Sequence, residues 1–227
     1  MNKLKLIIVL LCIVITLESF LFASFMLQVT NPRVAPPQYS QAMLHRFVVP
    51  FYMFNTPISN DTEYNMTEAY TGSWKIIIRN QLTLSTINQT TEAQIAISPE
   101  YESENLSIPT IIVQERADGR LRIEYYAQDW PKTYGFVLYN STSPSWLNAQ
   151  NVTLSFVSYG PPSVVNPQLA PFPNGNLTIT VGQTVVLSNY PIAWANLSSF
   201  YVYGLAGSQF TDGTISIEVY ALQARTS

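Results

Sequence analysis

The sequence contains very little charge and almost none of the residues that bind metals or form disulfides. Its 227 residues include one Cys, one His and 11% charged residues, with a net charge of −3. Soluble proteins usually have about 25% charged residues. One Cys cannot form a disulfide within the chain, and a zinc or iron–sulfur site needs more Cys and His ligands. The chain also has no cluster of Lys and Arg that could bind nucleic acid. We therefore predict no nucleic-acid partner and, from the scarcity of Cys and His ligands, no metal and no cofactor.

The ionisable residues also show no catalytic pattern. His45 is the only His, and the chain has no G-x-S-x-G sequence for a serine nucleophile. The carboxylates of Glu63–Glu68 and Glu100–Glu104 are typical of solvated acidic loops rather than of the carboxylate pair of a glycosidase. No glycine-rich phosphate-binding pattern is present. We therefore predict a protein that is not an enzyme and has no catalytic residues.

The amino terminus has the pattern of a segment that enters a membrane. Met1–Lys5 is basic, and the next 24 residues, Leu6–Val29, are almost wholly apolar, which is long enough to cross a bilayer core of about 30 Å. Residues 1–29 are either an uncleaved signal anchor or a cleaved signal peptide. In both cases the body lies outside the cell membrane, anchored or secreted to the cell surface. In an anchor, Glu18 would be a membrane-docking residue that faces protein or the membrane interface, since a charge in the bilayer costs about 3 kcal/mol.

The rest of the chain divides into a spacer and one body. Residues 30–43 are proline-rich and polar, which predicts an extended linker. The body, residues 44–227, contains runs that alternate apolar and polar residues with period two, such as Leu121–Tyr125 and Ile215–Val219. Turn sequences separate these runs, and none has a helical period. We predict an all-β body, a β-sandwich of about ten short, mostly antiparallel strands preceded by one N-terminal apolar helix, with a barrel as the alternative.

Acceptor sequences for N-glycosylation are the strongest chemical signal in the body. Eight N-x-S/T sequences occur where about three are expected by chance. Because glycans are bulky and hydrophilic, each acceptor must lie on the surface. We predict covalent N-glycans at Asn60, Asn65, Asn88, Asn105, Asn140, Asn151, Asn176 and Asn196, with Asn60, Asn65 and Asn105 in loops.

The chain combines the leader Met1–Val29, the eight acceptors, a Cys-free body and Tyr-rich strands. In this combination of features it resembles the heavily N-glycosylated extracytoplasmic surface and filament β-sandwich proteins of thermoacidophilic archaea. The resemblance spans the whole chain but includes no specific motif. It implies a cell-surface glycoprotein whose partners are other protein subunits, in a homo-oligomer or a surface assembly.

We therefore predict a non-enzymatic membrane-anchored or secreted glycoprotein that acts as a structural or assembly subunit. One alternative is a small accessory subunit of a membrane complex, for instance a respiratory complex, that docks through Glu18 and its apolar helix. A second is a sugar-binding module of the cell envelope, and a third is a virion envelope protein. The sugar-binding alternative would use a platform of Trp side chains, although we interpret these as core or interface residues: Trp74, Trp130, Trp146 and Trp194.

Overall fold

The alternation of apolar and polar residues sets the architecture of the body. The computed structural model describes residues 39–55, 62–84, 92–98, 110–116, 120–129, 132–143, 151–161, 173–194, 196–204 and 210–224. Residues 39–224 belong to one unit. The predictions for the leader, for Glu18 and for the acceptors Asn60, Asn88 and Asn105 lie outside the described residues.

Fourteen strands and one short 3-10 helix make up the described chain. The strands are β1 (Tyr39–Pro50), β2 (Thr62–Tyr70), β3 (Trp74–Asn80), β4 (Thr83–Leu84), β5 (Glu92–Ser98), β6 (Thr110–Arg116), β7 (Leu121–Asp129), β8 (Lys132–Asn140), β9 (Asn151–Ser158), β10 (Gly175–Val181), β11 (Thr184–Ile192), β12 (Leu197–Gly204), β13 (Phe210–Asp212) and β14 (Thr214–Ala224). The 3-10 helix, Phe51–Asn55, follows β1. No helix in this described part is long and apolar enough to span a membrane.

Two six-stranded antiparallel sheets form the sandwich. The first sheet has the order β1-β14-β3-β9-β10-β11, and the second has the order β2-β12-β5-β6-β7-β8. Strands β4 and β13 form a small third sheet. The prediction of an all-β sandwich is confirmed, whereas the predicted N-terminal helix belongs to residues that the structure does not describe.

The inner faces of the two sheets share one apolar core. Strands β3 and β10 bury every second residue along their length, as the pleat of a strand requires. The largest side chains that are fully enclosed are Trp74 and Trp194, followed by Phe54, Phe156 and Phe200. The interpretation of these two Trp residues as core residues is therefore confirmed, and they lie at the end of the sandwich that carries the site described below.

Two strands differ from the sequence-based prediction. Strand β1 begins at Tyr39, within the predicted linker, because Tyr39–Met43 pair with Tyr220–Ala224. Strand β2 was predicted as a loop, and its acceptor Asn65 is an exposed strand residue. The alternation of apolar and polar residues in β2 is weak because β2 is an edge strand with one neighbour, β12. Of its side chains, Tyr64, Met66 and the final Tyr70 pack against the core.

The register of the last strand gives a direct test of the core. Ile217 is fully buried, and its backbone lies opposite those of Phe47 and Ile78. We expect Ile217→Ala to lower the free energy of unfolding by about 2–5 kcal/mol, because it leaves a cavity in a packed core. Val48→Ala, at a neighbouring site that is 52% exposed, is the matched control and should have little effect. Urea denaturation measures both, and a larger loss for the control would mean that the register is shifted by one residue.

Candidate functional site

Three connections meet at one end of the sandwich and enclose a pocket. They are the turn between β2 and β3, the segment between β9 and β10, and the segment between β11 and β12. The pocket has a volume of about 600 Å³, within the range of about 300–1,000 Å³ of small-molecule sites. Its described lining residues are Thr71, Gly72, Ser73, Phe156, Ser158, Tyr159, Gly160, Pro161, Asn174, Trp194 and Asn196.

The buried side chain of Asn174 holds two of these connections together. Its Nδ2 donates to the carbonyl oxygens of Gly160, at 3.1 Å, and Trp194, at 2.9 Å. Its Oδ1 accepts from the backbone N–H of Trp194 at 2.7 Å. Its own backbone carbonyl accepts from the N–H of Tyr159 at 2.8 Å. Asn174 therefore fixes the walls of the pocket, and its amide is used by the protein rather than left for a ligand.

The third connection is fixed by hydroxyl groups. Ser73 Oγ accepts from the backbone N–H of Ser158 at 3.0 Å, which joins the β2–β3 turn to the end of β9. Ser158 Oγ in turn donates to the carbonyl oxygen of Gly160 at 2.8 Å. These short contacts define the backbone of the pocket rim without any charged group.

Aromatic rings form the floor of the pocket. Phe156 and Trp194 line it, and Trp74 packs against both, with ring centroids 5.5 Å from Phe156 and 5.3 Å from Trp194. The indole N–H groups of Trp74 and Trp194 are buried without a hydrogen-bond partner among the described residues. Gly175 is required beside this floor, since a Cβ there would lie 2.4 Å from the Phe156 ring.

Tyr159 gives the pocket an aromatic side chain that reaches solvent. It is 66% exposed, the highest value among the exposed large hydrophobic residues of the described chain. A tyrosine ring presents a flat apolar face together with a polar hydroxyl group. An exposed ring next to a concave site is suited to stack on a ligand with an apolar face.

The chemistry of the lining is neutral. Besides the aromatic rings, it consists of hydroxyl groups, side-chain amides and backbone, and the described lining residues include no carboxylate, His, Lys or Arg. A charged ligand would lose its hydration here without gaining an opposite charge. The pocket is therefore suited to a neutral ligand that has both hydrogen-bonding groups and apolar surface.

The second sheet helps to fix the pocket through Tyr125. Its hydroxyl group donates to the carbonyl oxygen of Ala193 at 2.9 Å and accepts from the N–H of the same residue at 3.2 Å. Burial raises the pKa of Tyr125 to about 12, against the opposing effect of the Ala193 hydrogen bond and with a small contribution from Tyr190. Tyr125 therefore stays protonated and keeps donating this bond at physiological pH.

A polar network on the outer face of the second sheet surrounds Glu124. This carboxylate is 5% exposed, it pairs with Arg122, and it accepts from Tyr126 Oη at 2.8 Å and Gln114 Nε2 at 3.3 Å. Its charge is thus compensated within the protein. The strand register places Glu63 four strands away, about 19 Å at the usual strand spacing. These two carboxylates are too far apart to act as a glycosidase pair.

A second such network, on the outer face of the first sheet, surrounds Glu218. Burial alone would raise the pKa of Glu218, but hydrogen bonds from Arg79 and Tyr220 and the charges of Arg79 and Arg46 outweigh this effect and lower it. The Arg79 contact is 3.3 Å and the Tyr220 contact 3.0 Å. Ile217 points into the core beside it, so Glu218 lies on the outer face as its strand pattern predicts.

Glu115 differs from Glu124 and Glu218 because it lies on the core face of its strand, β6. It is 4% exposed, its Oε2 accepts from Asn80 Nδ2, and its Oε1 has no partner among the described residues. Burial raises the pKa of Glu115 from 4.5 to about 8, and the Asn80 hydrogen bond opposes this only in part. Glu115 is therefore protonated in the folded protein at neutral pH.

The five described glycosylation acceptors differ in their exposure. Asn65 and Asn140 are exposed, and Asn151, Asn176 and Asn196 are half-buried. Of these, Asn196 lines the pocket. The occupancy of all eight acceptors remains a prediction. His45, the sole His, packs against Phe47 with ring centroids 4.2 Å apart and is not among the described lining residues of the pocket at the end of the sandwich.

Sequence reasoning did not identify the residues that shape the pocket. Asn174 lies in a Pro-Asn-Gly run that indicates only a turn, and nothing in the local sequence shows that its amide is buried. Tyr159 is one of 14 Tyr residues, and its exposure depends on how β9 ends. The only available signal was the Pro- and Gly-rich stretch 160–175, which predicts a surface loop.

Solved structures of known function align with the chain at low similarity. A kappa-carrageenase from Pseudoalteromonas carrageenovora, in complex with a carrageenan oligotetrasaccharide, is 9% identical with a TM-score of 0.46, over 86% of this chain and 100% of that chain. An alginate lyase in complex with alginate trisaccharide is 10% identical with a TM-score of 0.45, over 86% and 96%. The CBM40 module of a Ruminococcus gnavus IT-sialidase, bound to alpha2,3 sialyllactose, is 10% identical with a TM-score of 0.43, over 82% and 95%. No family model and no curated protein matches the sequence.

These matches contradict two predictions made from the sequence. We expected a structural or assembly subunit that is not an enzyme, whereas the aligned structures are a carrageenase, an alginate lyase and a sugar-bound module. Those predictions were based on composition and on the leader, which carry no information about a pocket built from loops. We withdraw both predictions. At 9% to 10% identity, the activities of the aligned proteins are not transferred to this chain.

The buried carboxyl group of Glu115 predicts how stability depends on pH. Its pKa is higher in the folded protein than in the unfolded chain, so folding favours the protonated form. The resulting stability is complete below about pH 4.5 and is lost as the pH rises towards 8. We expect Glu115→Gln, which cannot ionise, to flatten the pH dependence over this range and to be more stable than the wild type at pH 8.

Urea denaturation at pH 4.5, 6, 7 and 8 measures this difference. Because its pKa is lowered, Glu218 contributes stability that begins to be lost near pH 4.5 and below. Both proteins contain Glu218, so this effect cancels in the comparison. Equal slopes for the wild type and Glu115→Gln would show that Glu115 is already ionised in the folded protein.

Proposed function

We propose that this protein binds a neutral carbohydrate in the pocket at the end of the sandwich. The observation that carries the proposal is the lining itself: exposed and floor-forming aromatic rings next to hydroxyl and amide groups, with no charged side chain among the described lining residues. A pyranose ring has an apolar face of C–H groups and a rim of hydroxyl groups. It therefore matches both parts of this lining.

Each part of the pocket has a role in this binding. Tyr159 would cover the apolar face of a sugar ring, and its ring is already exposed to do so. The hydroxyl groups of Thr71 and Ser73 and the amide of Asn196 are placed to bond sugar hydroxyl groups. The walls fixed by Asn174 reduce the loss of loop entropy when the ligand binds.

We further propose that the protein acts outside the cytoplasm, on the cell surface or secreted from it. The basic start, the apolar segment Leu6–Val29 and the eight glycosylation acceptors support this location. A carbohydrate ligand fits that location, since cell-surface and environmental polysaccharides are accessible there. Protease added to intact cells should digest the body, residues 39–224, if this location is correct.

Binding can be tested with full-length protein made in a bacterium that lacks N-glycosylation. Trisaccharides of glucose, mannose and N-acetylglucosamine are titrated by calorimetry, with alginate and carrageenan trisaccharides as acidic comparisons. We expect a neutral trisaccharide to bind and to change the fluorescence of Trp194. Tyr159→Ala should weaken binding about tenfold, equivalent to about 1.4 kcal/mol, because the stacking surface is lost.

Val185→Ala is the matched control, because Val185 is 57% exposed on β11 and is not among the described pocket residues. It should bind like the wild type. Binding that is equal in Tyr159→Ala and the wild type would place the sugar elsewhere. Stronger binding of the acidic trisaccharides would contradict a site for neutral ligands. The same mixtures, incubated and analysed by mass spectrometry, show whether a bound oligosaccharide is also cleaved.

A further inference from the structure

Asn196 has two properties that are independent of each other. It is the acceptor of an Asn-Leu-Ser glycosylation sequence, and it lines the pocket beside Trp194. It is the only one of the five described acceptors among the lining residues given above. The other four, Asn65, Asn140, Asn151 and Asn176, are strand residues.

The surroundings of Asn196 leave room for an attached sugar. Asn196 is half-buried. The pocket that it lines has about 600 Å³ of space. A sugar bonded to its Nδ2 would begin at the wall of the pocket, next to the aromatic floor and the exposed ring of Tyr159.

We infer that the first sugars of an N-glycan on Asn196 occupy this pocket, so that glycosylation at this one residue closes the site to free carbohydrate. The inference rests on the proposed affinity of the pocket for neutral sugar. A glycan attached directly to a lining residue has an effective concentration of millimolar order or higher. Free sugar of similar affinity at micromolar concentration cannot displace it. Unglycosylated protein has an open pocket, and glycosylated protein has a filled one.

The first test measures how accessible the glycan is. Full-length protein from a glycosylating host is treated in its folded state with an endoglycosidase, and release at each acceptor is followed by mass spectrometry of peptides. Asn140, which is exposed on β8, is the matched internal control. We expect release from Asn196 to be at least tenfold slower than from Asn140, and Tyr159→Ala to remove most of this difference. An unoccupied Asn196, or equal release from both acceptors, would overturn the inference.

The second test measures competition for the pocket. The neutral trisaccharide that binds unglycosylated protein is titrated into glycosylated wild type, Asn196→Gln and Asn140→Gln. We expect at least tenfold weaker binding to the glycosylated wild type and to Asn140→Gln, and restored binding to Asn196→Gln. The Asn196→Gln variant made without glycans shows any direct effect of the substitution on affinity. Equal binding by all three glycosylated proteins would overturn the inference.

The two tests separate this inference from the proposed function. If unglycosylated protein binds no trisaccharide but the Asn196 glycan is protected in a Tyr159-dependent way, the proposed binding of free carbohydrate fails and the occupied pocket stands. If unglycosylated protein binds and the Asn196 glycan is cleaved as fast as that of Asn140, the proposed function stands and the occupied pocket fails.

Discussion

The buried amide of Asn174 is the constraint on which the pocket end of the sandwich depends. It bonds the backbone of both the β9–β10 and β11–β12 segments, and Tyr125 of the second sheet bonds the neighbouring Ala193. Without these hydrogen bonds the two segments would not keep their positions, because backbone groups outside a paired strand need other hydrogen-bond partners. A neutral side chain with two donors and one strong acceptor is suited to this task because it adds no buried charge. The Asn174 amide therefore fixes the rim of the pocket without adding charge to its lining.

The described buried carboxyl groups are accommodated in one of two ways, by charged and polar partners or by protonation. Glu124 and Glu218 lie on the outer faces of the two sheets, and each is compensated by Arg and Tyr partners. Glu115, which faces the core with only Asn80 as a partner, instead keeps its proton, and its pKa is raised to about 8. At neutral pH, the described core residues therefore include no uncompensated buried charge. Glu115 by itself therefore contributes more to stability in acid than at alkaline pH.

The periodicity of the sequence predicted the sandwich because a half-buried strand alternates buried and exposed residues within a short run of the chain. Ile217 and Ile123 are buried as their runs predict, and each such run sets its own strand face independently of the rest of the chain. Strand β2 was missed because an edge strand with an exposed face has little apolar signal. The pocket could not be predicted, since Thr71, Tyr159, Asn174 and Trp194 come from three separate connections that meet only after both sheets have formed. The interpretation of Trp194 as a core residue was correct and yet incomplete, because one edge of a buried ring also forms the pocket floor.

The distribution of the acceptors links the surface of the protein to its pocket. Asn151 and Asn176 lie on the outer face of the first sheet, opposite Arg79 and Val157, and Asn65 and Asn140 lie on that of the second, opposite Ser199 and Arg122. Glycans at these four positions would give both faces the solvation that a chain with 11% charged residues lacks. They would leave the end of the sandwich uncovered, where Tyr159 is the most exposed large aromatic side chain of the described residues. Asn196 is the described acceptor that lies at that end, so its glycan decides whether this aromatic surface is covered or open. The same modification that solvates the faces would thus control the one neutral, aromatic pocket found at this end of the described sandwich.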